Sequence, residues 1–155
     1  MTKPKVFVYT PLDESGESHE EIANAGCEVT LGDLAWRLNM GATAEDVLAV
    51  GGNADAMIGA IVRGVRLDGA FMDRLPRLRI ISKYSIGYDD IDVEAAAERG
   101  ILVTHSPTEA NWGAVAEGTM AMMLGLLKQV RERDRHVKEG GWRIPELDAT
   151  YLGQR

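Results

Sequence analysis

The chain has 155 residues, of which 45% are apolar and 26% charged, and a formal net charge of -7. That length can bury a core and fits one domain, or one domain with an appendage, while the excess of acid repels phosphate backbones and speaks against broad nucleic-acid binding. Cys27 is the only cysteine, so no intrachain disulfide can form. No Cys/His cluster has zinc spacing, so no metal site is expected.

The N-terminus, Met1-Thr2-Lys3-Pro4-Lys5, leads into an apolar run too short for a signal peptide, and no stretch reaches membrane-spanning length. A cytoplasmic protein with no membrane partner is expected. Val6–Tyr9 reads as a buried strand. Ser18 is a candidate cap for a helix that carries Glu20 and Glu21 in its first turn and stops at Gly26. Cys27, at the following junction, reads as a buried structural thiol. Glu28–Leu31 is the second predicted strand. Thr43 caps a short helix through Val47 and Leu48, closed by Gly51-Gly52. Ala56–Val62 is the third strand, and Asp68 opens a helix ending near Pro76. Leu78–Ser82 is the fourth strand. Val93–Arg99 is helical, Gly100 ends it, and Ile101–Thr104 is the fifth strand.

Short apolar strands alternating with helices imply a parallel sheet covered on both faces. The predicted fold is α/β, a flavodoxin-like doubly wound parallel five-stranded sheet over residues 1–105, followed by a long helix. Ligands of such sheets sit beyond the C-terminal strand ends, which directs attention to the loops after Tyr9, Val62, Ser82 and Thr104. From about Ala110 to Glu139 there is no proline. Val115, Thr119, Met122, Leu126 and Val130 form one row at helical spacing, and Ala116, Met120, Met123 and Leu127 form a second. An unbroken helix of that length would measure ~45 Å. Its charged last third reads as a solvated end with i,i+4 pairs such as Asp134–Lys138. The tail from Gly141 contains Trp142, Pro145 and Tyr151 without a clear period.

Leu78-Arg79-Ile80-Ile81-Ser82-Lys83-Tyr84-Ser85-Ile86-Gly87-Tyr88-Asp89-Asp90-Ile91-Asp92 is followed by a short helical segment and Arg99-Gly100-Ile101-Leu102-Val103. Further on come Ser106-Pro107, Val115-Ala116-Glu117, Met122-Met123-Leu124 and Gly141-Trp142. Taken together these resemble the D-isomer-specific 2-hydroxyacid dehydrogenases over nearly the whole chain, most closely over residues 76–142. The resemblance implies an NAD-dependent oxidoreductase, with NADP as the other possible cofactor, transferring a hydride between nicotinamide and a 2-hydroxy or 2-keto acid. It implies that main-chain amides at Ser85, Ile86 and Gly87 hold the substrate carboxylate, as a nest of consecutive N–H groups can. Arg63, after the third strand, would be a further substrate contact suited to a carboxylate, with Arg66 a weaker candidate. Ile86 and Val115 match positions bordering the nicotinamide, where apolar side chains exclude water. The region around 110–140 matches a dimerisation helix, so a homodimer is expected.

Residues 106–140 then read as an interdomain helix and 141–155 as the start of a cofactor domain. The sequence holds no Gly-x-Gly-x-x-Gly, the loop that seats a dinucleotide pyrophosphate at a helix N-terminus. The family's acid-base histidine, arginine and carboxylate are expected beyond Arg155. The 155 residues alone are accordingly expected to be inactive. A non-catalytic binding or dimerisation module, corepressor-like, is the alternative. His105 has no acidic partner at motif spacing and is not expected to be catalytic. Two positions depart from the family pattern: Asp90 stands where asparagine is usual, and Ser85 where glycine is frequent. Asp90 is expected to accept backbone hydrogen bonds and cap the next helix. A phosphorylatable receiver domain is disfavoured because the third strand runs out as Ile61-Val62-Arg63-Gly64. A flavin phosphate loop at Thr10–Gly16 is only a faint echo.

Overall fold

The computed structural model describes residues 2–11, 13, 15–38 and 42–143. Five strands, β1 (Lys5–Val8), β2 (Glu28–Leu31), β3 (Ala56–Gly59), β4 (Ile80–Lys83) and β5 (Leu102–Thr104), make one sheet. Its order is β2-β1-β3-β4-β5 and every pairing is parallel. This is the doubly wound order of the expected fold. A row of facing residues, Phe7, Met57, Ile81 and Val103, crosses the sheet in register. Phe7, Met57 and Ile81 are almost completely buried, as are Val8 and Tyr9 at the end of β1. The two edge strands pack less, and Leu31 and Leu102 remain exposed. The third strand ends at Gly59 rather than Val62 because the Ala60 N–H leaves the ladder and donates to Thr10 Oγ1 at 2.7 Å.

Five helices fill the connections: α1 (Glu17–Asn24), α2 (Ala35–Leu38), α3 (Ala44–Gly51), α4 (Gly69–Met72) and α5 (Val93–Glu98). The Thr43 side chain and Asp46 form a reciprocal capping box on α3, and Asp68 caps α4 by accepting the Phe71 N–H at 2.9 Å. These caps satisfy N–H groups that the first helical turn leaves open. Ser18 does not cap α1. Gly16 occupies the cap position at φ 84°, and the Asp13 carboxylate accepts the N–H groups of Gly16 and Ser18. The turn needs a left-handed residue there, which glycine supplies without a Cβ clash. Helix α2 has no counterpart among the predicted elements. Its Trp36 meets Phe7 edge-on, with centroids 6.4 Å apart. Cys27 is half-buried rather than buried, because the edge strand it precedes is itself only partly covered.

The chain divides into two compact units, Met1–Pro107 and Thr108–Arg155. In the second, the single predicted helix is two: α6 (Glu109–Leu127) and α7 (Val130–Lys138). Gln129 breaks them with φ 51°, a left-handed conformation that costs a side-chain-bearing residue roughly 1–2 kcal/mol. Arg133 compensates in part: its N–H donates to Gln129 O at 3.0 Å and its Nε to Lys128 O at 2.9 Å. The two predicted apolar rows prove to be a girdle. No residue of α6 is buried, and Met120, Met122 and Leu124, successive pairs of which point to nearly opposite sides of a helix, are all exposed. Asp134 and Lys138 pair at 2.7 Å as the spacing predicts. Trp142 is exposed; Pro145 and Tyr151 lie outside the described residues. No described helix is long and apolar enough to cross a membrane.

Ion pairs tie the helices of the first unit together. Arg99 at the end of α5 chelates Asp73 at the end of α4, at 2.8 and 3.0 Å. Arg77 holds Asp55, whose carboxylate also accepts the Lys5 N–H at 2.8 Å, and Arg74 pairs with Glu45. The Arg99 bond holds Asp73 below the usual carboxylate range, the Lys5 N–H and then Arg77 do the same for Asp55, and the Arg74 bond does so for Glu45. A folded-state value below the unfolded one adds stability above the ordinary carboxylate range, and that stability disappears as pH falls through it. The thermal midpoint should therefore be nearly flat from neutral pH to about pH 5 and drop below about pH 4. Asp55→Asn should make the drop shallower, which calorimetry across pH would measure.

Candidate functional site

The C-terminal ends of β1, β3, β4 and β5 open on one edge of the sheet, and their loops are knitted together by side chains. Thr10, after β1, accepts the Ala60 N–H from the loop after β3. The Tyr84 hydroxyl, after β4, reaches back over β3 to donate to Pro11 O at 3.1 Å. From the loop after β5, the Ser106 N–H donates to Ser85 O at 3.1 Å and the Ser106 hydroxyl to Lys83 O at 3.1 Å. His105 Nδ1 lies 3.0 Å from Ile86 O. A carbonyl only accepts, so this nitrogen carries the proton. The His105 ring also meets Tyr88 edge-on at 5.1 Å. Finally, the Ser85 hydroxyl donates to Gly87 O at 3.2 Å.

Every carbonyl from Ser85 to Gly87 is thus engaged, while none of the N–H groups of Ser85, Ile86 and Gly87 donates a hydrogen bond among the described residues. Peptide planarity couples the two facts. In a trans peptide the carbonyl of one residue and the N–H of the next point to opposite sides, and the chain has no cis peptide among its described residues. Holding Ser85 O and Ile86 O toward the β5 loop therefore turns the N–H groups of Ile86 and Gly87 away from it. Ser85 and Ile86 are half-buried and Gly87 is exposed. Gly87 is not in the left-handed region, and a Cβ there would meet nothing closer than Asp89 Oδ2 at 3.5 Å. A tight-turn requirement therefore does not explain this glycine.

Arg63 lies on the same unit, in the loop after β3, with an exposed side chain. Its N–H donates to Trp36 O at 3.0 Å, which ties that loop to α2. Arg66 is exposed as well. Val115 belongs to the second unit, on α6, and is 64% exposed. The structure thus groups Ser85, Ile86 and Gly87 in one turn and Arg63 at the same sheet edge, and puts Val115 on a separate body. Among the described residues no group of three or more His, Cys, Asp or Glu side chains could hold a metal ion.

Beneath the turn sits a polar cluster that sequence reasoning did not single out. Lys83 is 2% exposed and pairs with Asp90, itself 12% exposed. Asp90 therefore does not cap α5. Asp92 does, accepting the Ala95 N–H at 2.9 Å. Asp90, the departure from the family's asparagine, is matched by a buried cation. The Tyr9 hydroxyl is buried without a partner among the described residues, and burial together with the Asp90 charge pushes its ionisation far above the usual tyrosine range. It is a neutral phenol at any working pH. Gly59 lies between Tyr9 and Lys83 in the sheet register, and any Cβ there would fall 2.4 Å from the Tyr9 ring. Gly59→Ala should displace Tyr9 and cost roughly 1–3 kcal/mol, as overpacking does; a lowered thermal midpoint is the measurement.

Residues 6–139 match the family model described as D-isomer specific 2-hydroxyacid dehydrogenase, catalytic domain. The chain is 32% identical over 146 residues to a glyoxylate reductase of Thermofilum pendens, covering 94% of this chain and 40% of that protein. A solved structure from Thermus thermophilus superposes with TM-score 0.71 at 29% identity, covering 96% of this chain and 45% of the other. The NAD+-bound 3-phosphoglycerate dehydrogenase of Entamoeba histolytica gives TM-score 0.61 at 26% identity, over 80% of this chain and 39% of that one. The chain therefore spans less than half the length of these proteins.

Proposed function

Because the chain belongs to the D-isomer specific 2-hydroxyacid dehydrogenase family, we propose that it supplies the acid-binding domain of a cytoplasmic oxidoreductase that moves a hydride between NAD(H) and a 2-hydroxy or 2-keto acid. One observation carries the reading: the undonated N–H groups of Ser85, Ile86 and Gly87 beside carbonyls held by His105 and Ser106. A row of main-chain donors held in place suits a carboxylate, and needs no charged side chain. Arg63 supplies a guanidinium at the same sheet edge for the acid's other oxygens. Relatives named glyoxylate reductase make glyoxylate the first acid to test.

The dinucleotide is a different matter. Ile86, half-buried beside the amides, is an apolar group that can border a nicotinamide ring. The cofactor supplies the hydride chemistry when bound. No Gly-x-Gly-x-x-Gly is present to cradle its phosphates. What these residues contribute is to hold the acid's anionic end, to aim its carbonyl carbon, and to keep water from one side of it.

Oxalate, a planar stand-in for a 2-keto acid, tests this directly. Titrated into isotope-labelled protein, it should shift the amide resonances of Ser85, Ile86 and Gly87 well ahead of those on β2; shifts spread evenly over the surface would defeat the assignment.

The same reading gives α6 a partner. Its exposed Val115, Met122 and Leu126 form an apolar surface that a soluble chain rarely leaves bare, and we assign it to a second copy of the chain. Sedimentation velocity should show a dimer at high concentration and a monomer for Leu126→Glu; a wild-type monomer would remove the assignment.

A further inference from the structure

The turn from Tyr84 to Asp89 stands on two legs that belong to different neighbours. The near leg is β4, whose exit is held by the Tyr84 N–H donating to Gly59 O at 3.3 Å. The far leg starts at Asp90, whose carbonyl accepts the Leu67 N–H at 2.8 Å while the Asp92 N–H donates to Leu67 O at 3.0 Å. One leg is thus fastened to β3 and the other to the segment that leads into α4. The ion pair across the neck of the turn joins Lys83 Nζ to Asp90 Oδ1, with Lys83 buried and Asp90 largely covered at 12% exposure.

A buried ion pair is a poor device for stability, since desolvation consumes most of its attraction, and replacing both partners by apolar groups is often neutral or better. It does impose one geometry, because a buried charge tolerates no position away from its counter-charge. We propose that Lys83 and Asp90 are positioning residues: their pairing clasps the neck of the turn and sets the spacing of its legs, and so the aim of the Ser85, Ile86 and Gly87 amides at the substrate carboxylate. The proposal rests on the acid-binding reading above. It accounts for two features that reading leaves open, a fully buried lysine directly below an anion site and an aspartate where an amide would serve for hydrogen bonding alone. Neither side chain touches the acid. Lys83 is consumed by Asp90, and the anion is held by neutral donors.

Two effects of opposite sign make the clasp separable from simple electrostatics. Asp90→Asn removes a negative charge close to an anion site, so charge alone predicts tighter oxalate binding. Loss of the clasp predicts weaker binding, by about tenfold for a displacement of the order of an ångström. Oxalate affinity is read from the amide shifts of Ser85–Gly87 in the full chain. Weaker binding by Asp90→Asn supports the clasp, and unchanged or tighter binding overturns it. If Asp90→Asn does not fold, two doubly neutral variants carry the test. Lys83→Gln/Asp90→Asn keeps a hydrogen bond across the neck and should bind within about threefold of wild type, whereas Lys83→Met/Asp90→Asn lacks it and should bind about tenfold more weakly. Equal affinities for these two overturn the proposal. Wild-type protein whose turn amides do not respond to oxalate at all would instead remove the acid-binding reading, and the clasp with it.

Discussion

The geometry of the candidate site depends on the planarity of two consecutive peptide groups, Ser85–Ile86 and Ile86–Gly87. An N–H cannot be gripped directly and remain available to a ligand, but it can be oriented through the carbonyl of the preceding residue. His105 and Ser106 do this for the turn after β4: each takes hold of an oxygen and thereby turns a donor outward. The turn thus leaves these half-buried and exposed donors open to solvent or to a ligand, the arrangement that the proposed acid site calls for. A cation would have no use for it, and a neutral ligand would gain less than an anion does from several donors at once.

The layers of the structure build toward this arrangement. Apolar residues on β1, β3 and β4 force a parallel sheet buried at its centre, and parallel strands bring all their C-terminal ends to one edge. The loops at that edge would be independent if they were only polar. Here Thr10, Tyr84, His105 and Ser106 lace four of them together, so the turn inherits the rigidity of the sheet. Below it the absence of a side chain at Gly59 makes room for the Tyr9 ring, and Lys83 pairs with Asp90.

Much of this was legible in the sequence, and the reason differs from element to element. The strands declare themselves because a buried parallel strand is a run of apolar residues between turn signals, and the caps Thr43 and Asp68 sit where such residues satisfy open N–H groups. The turn at 84–89 was found through a family pattern, since a main-chain site leaves no side-chain chemistry to read. What stayed hidden depends on partners distant in the chain. Nothing local to Lys83 announces that it is buried, and nothing local to Asp90 says that it faces Lys83 instead of capping α5. His105, not expected to be catalytic on the grounds of spacing, has a structural part visible only when β5 lies beside β4. Ser18 looked like a cap because its residue type is a good one, but Asp13 and Gly16 upstream had already taken the position. The break at Gln129 has no sequence signal at all, because a left-handed glutamine is an exception to the local preferences on which such reading relies.

The outermost position of β5 has a consequence for how the molecule matures. This short strand is the last of the five to leave the ribosome and joins the sheet at its rim, with Leu102 bare on the outside. The other four strands pair without involving it, yet the residues that steer the turn, His105 and Ser106, follow immediately behind it. The amides proposed to hold the acid are consequently steered only once this strand has joined the sheet, and peeling of that rim would release them while the pairings of the other four strands remained.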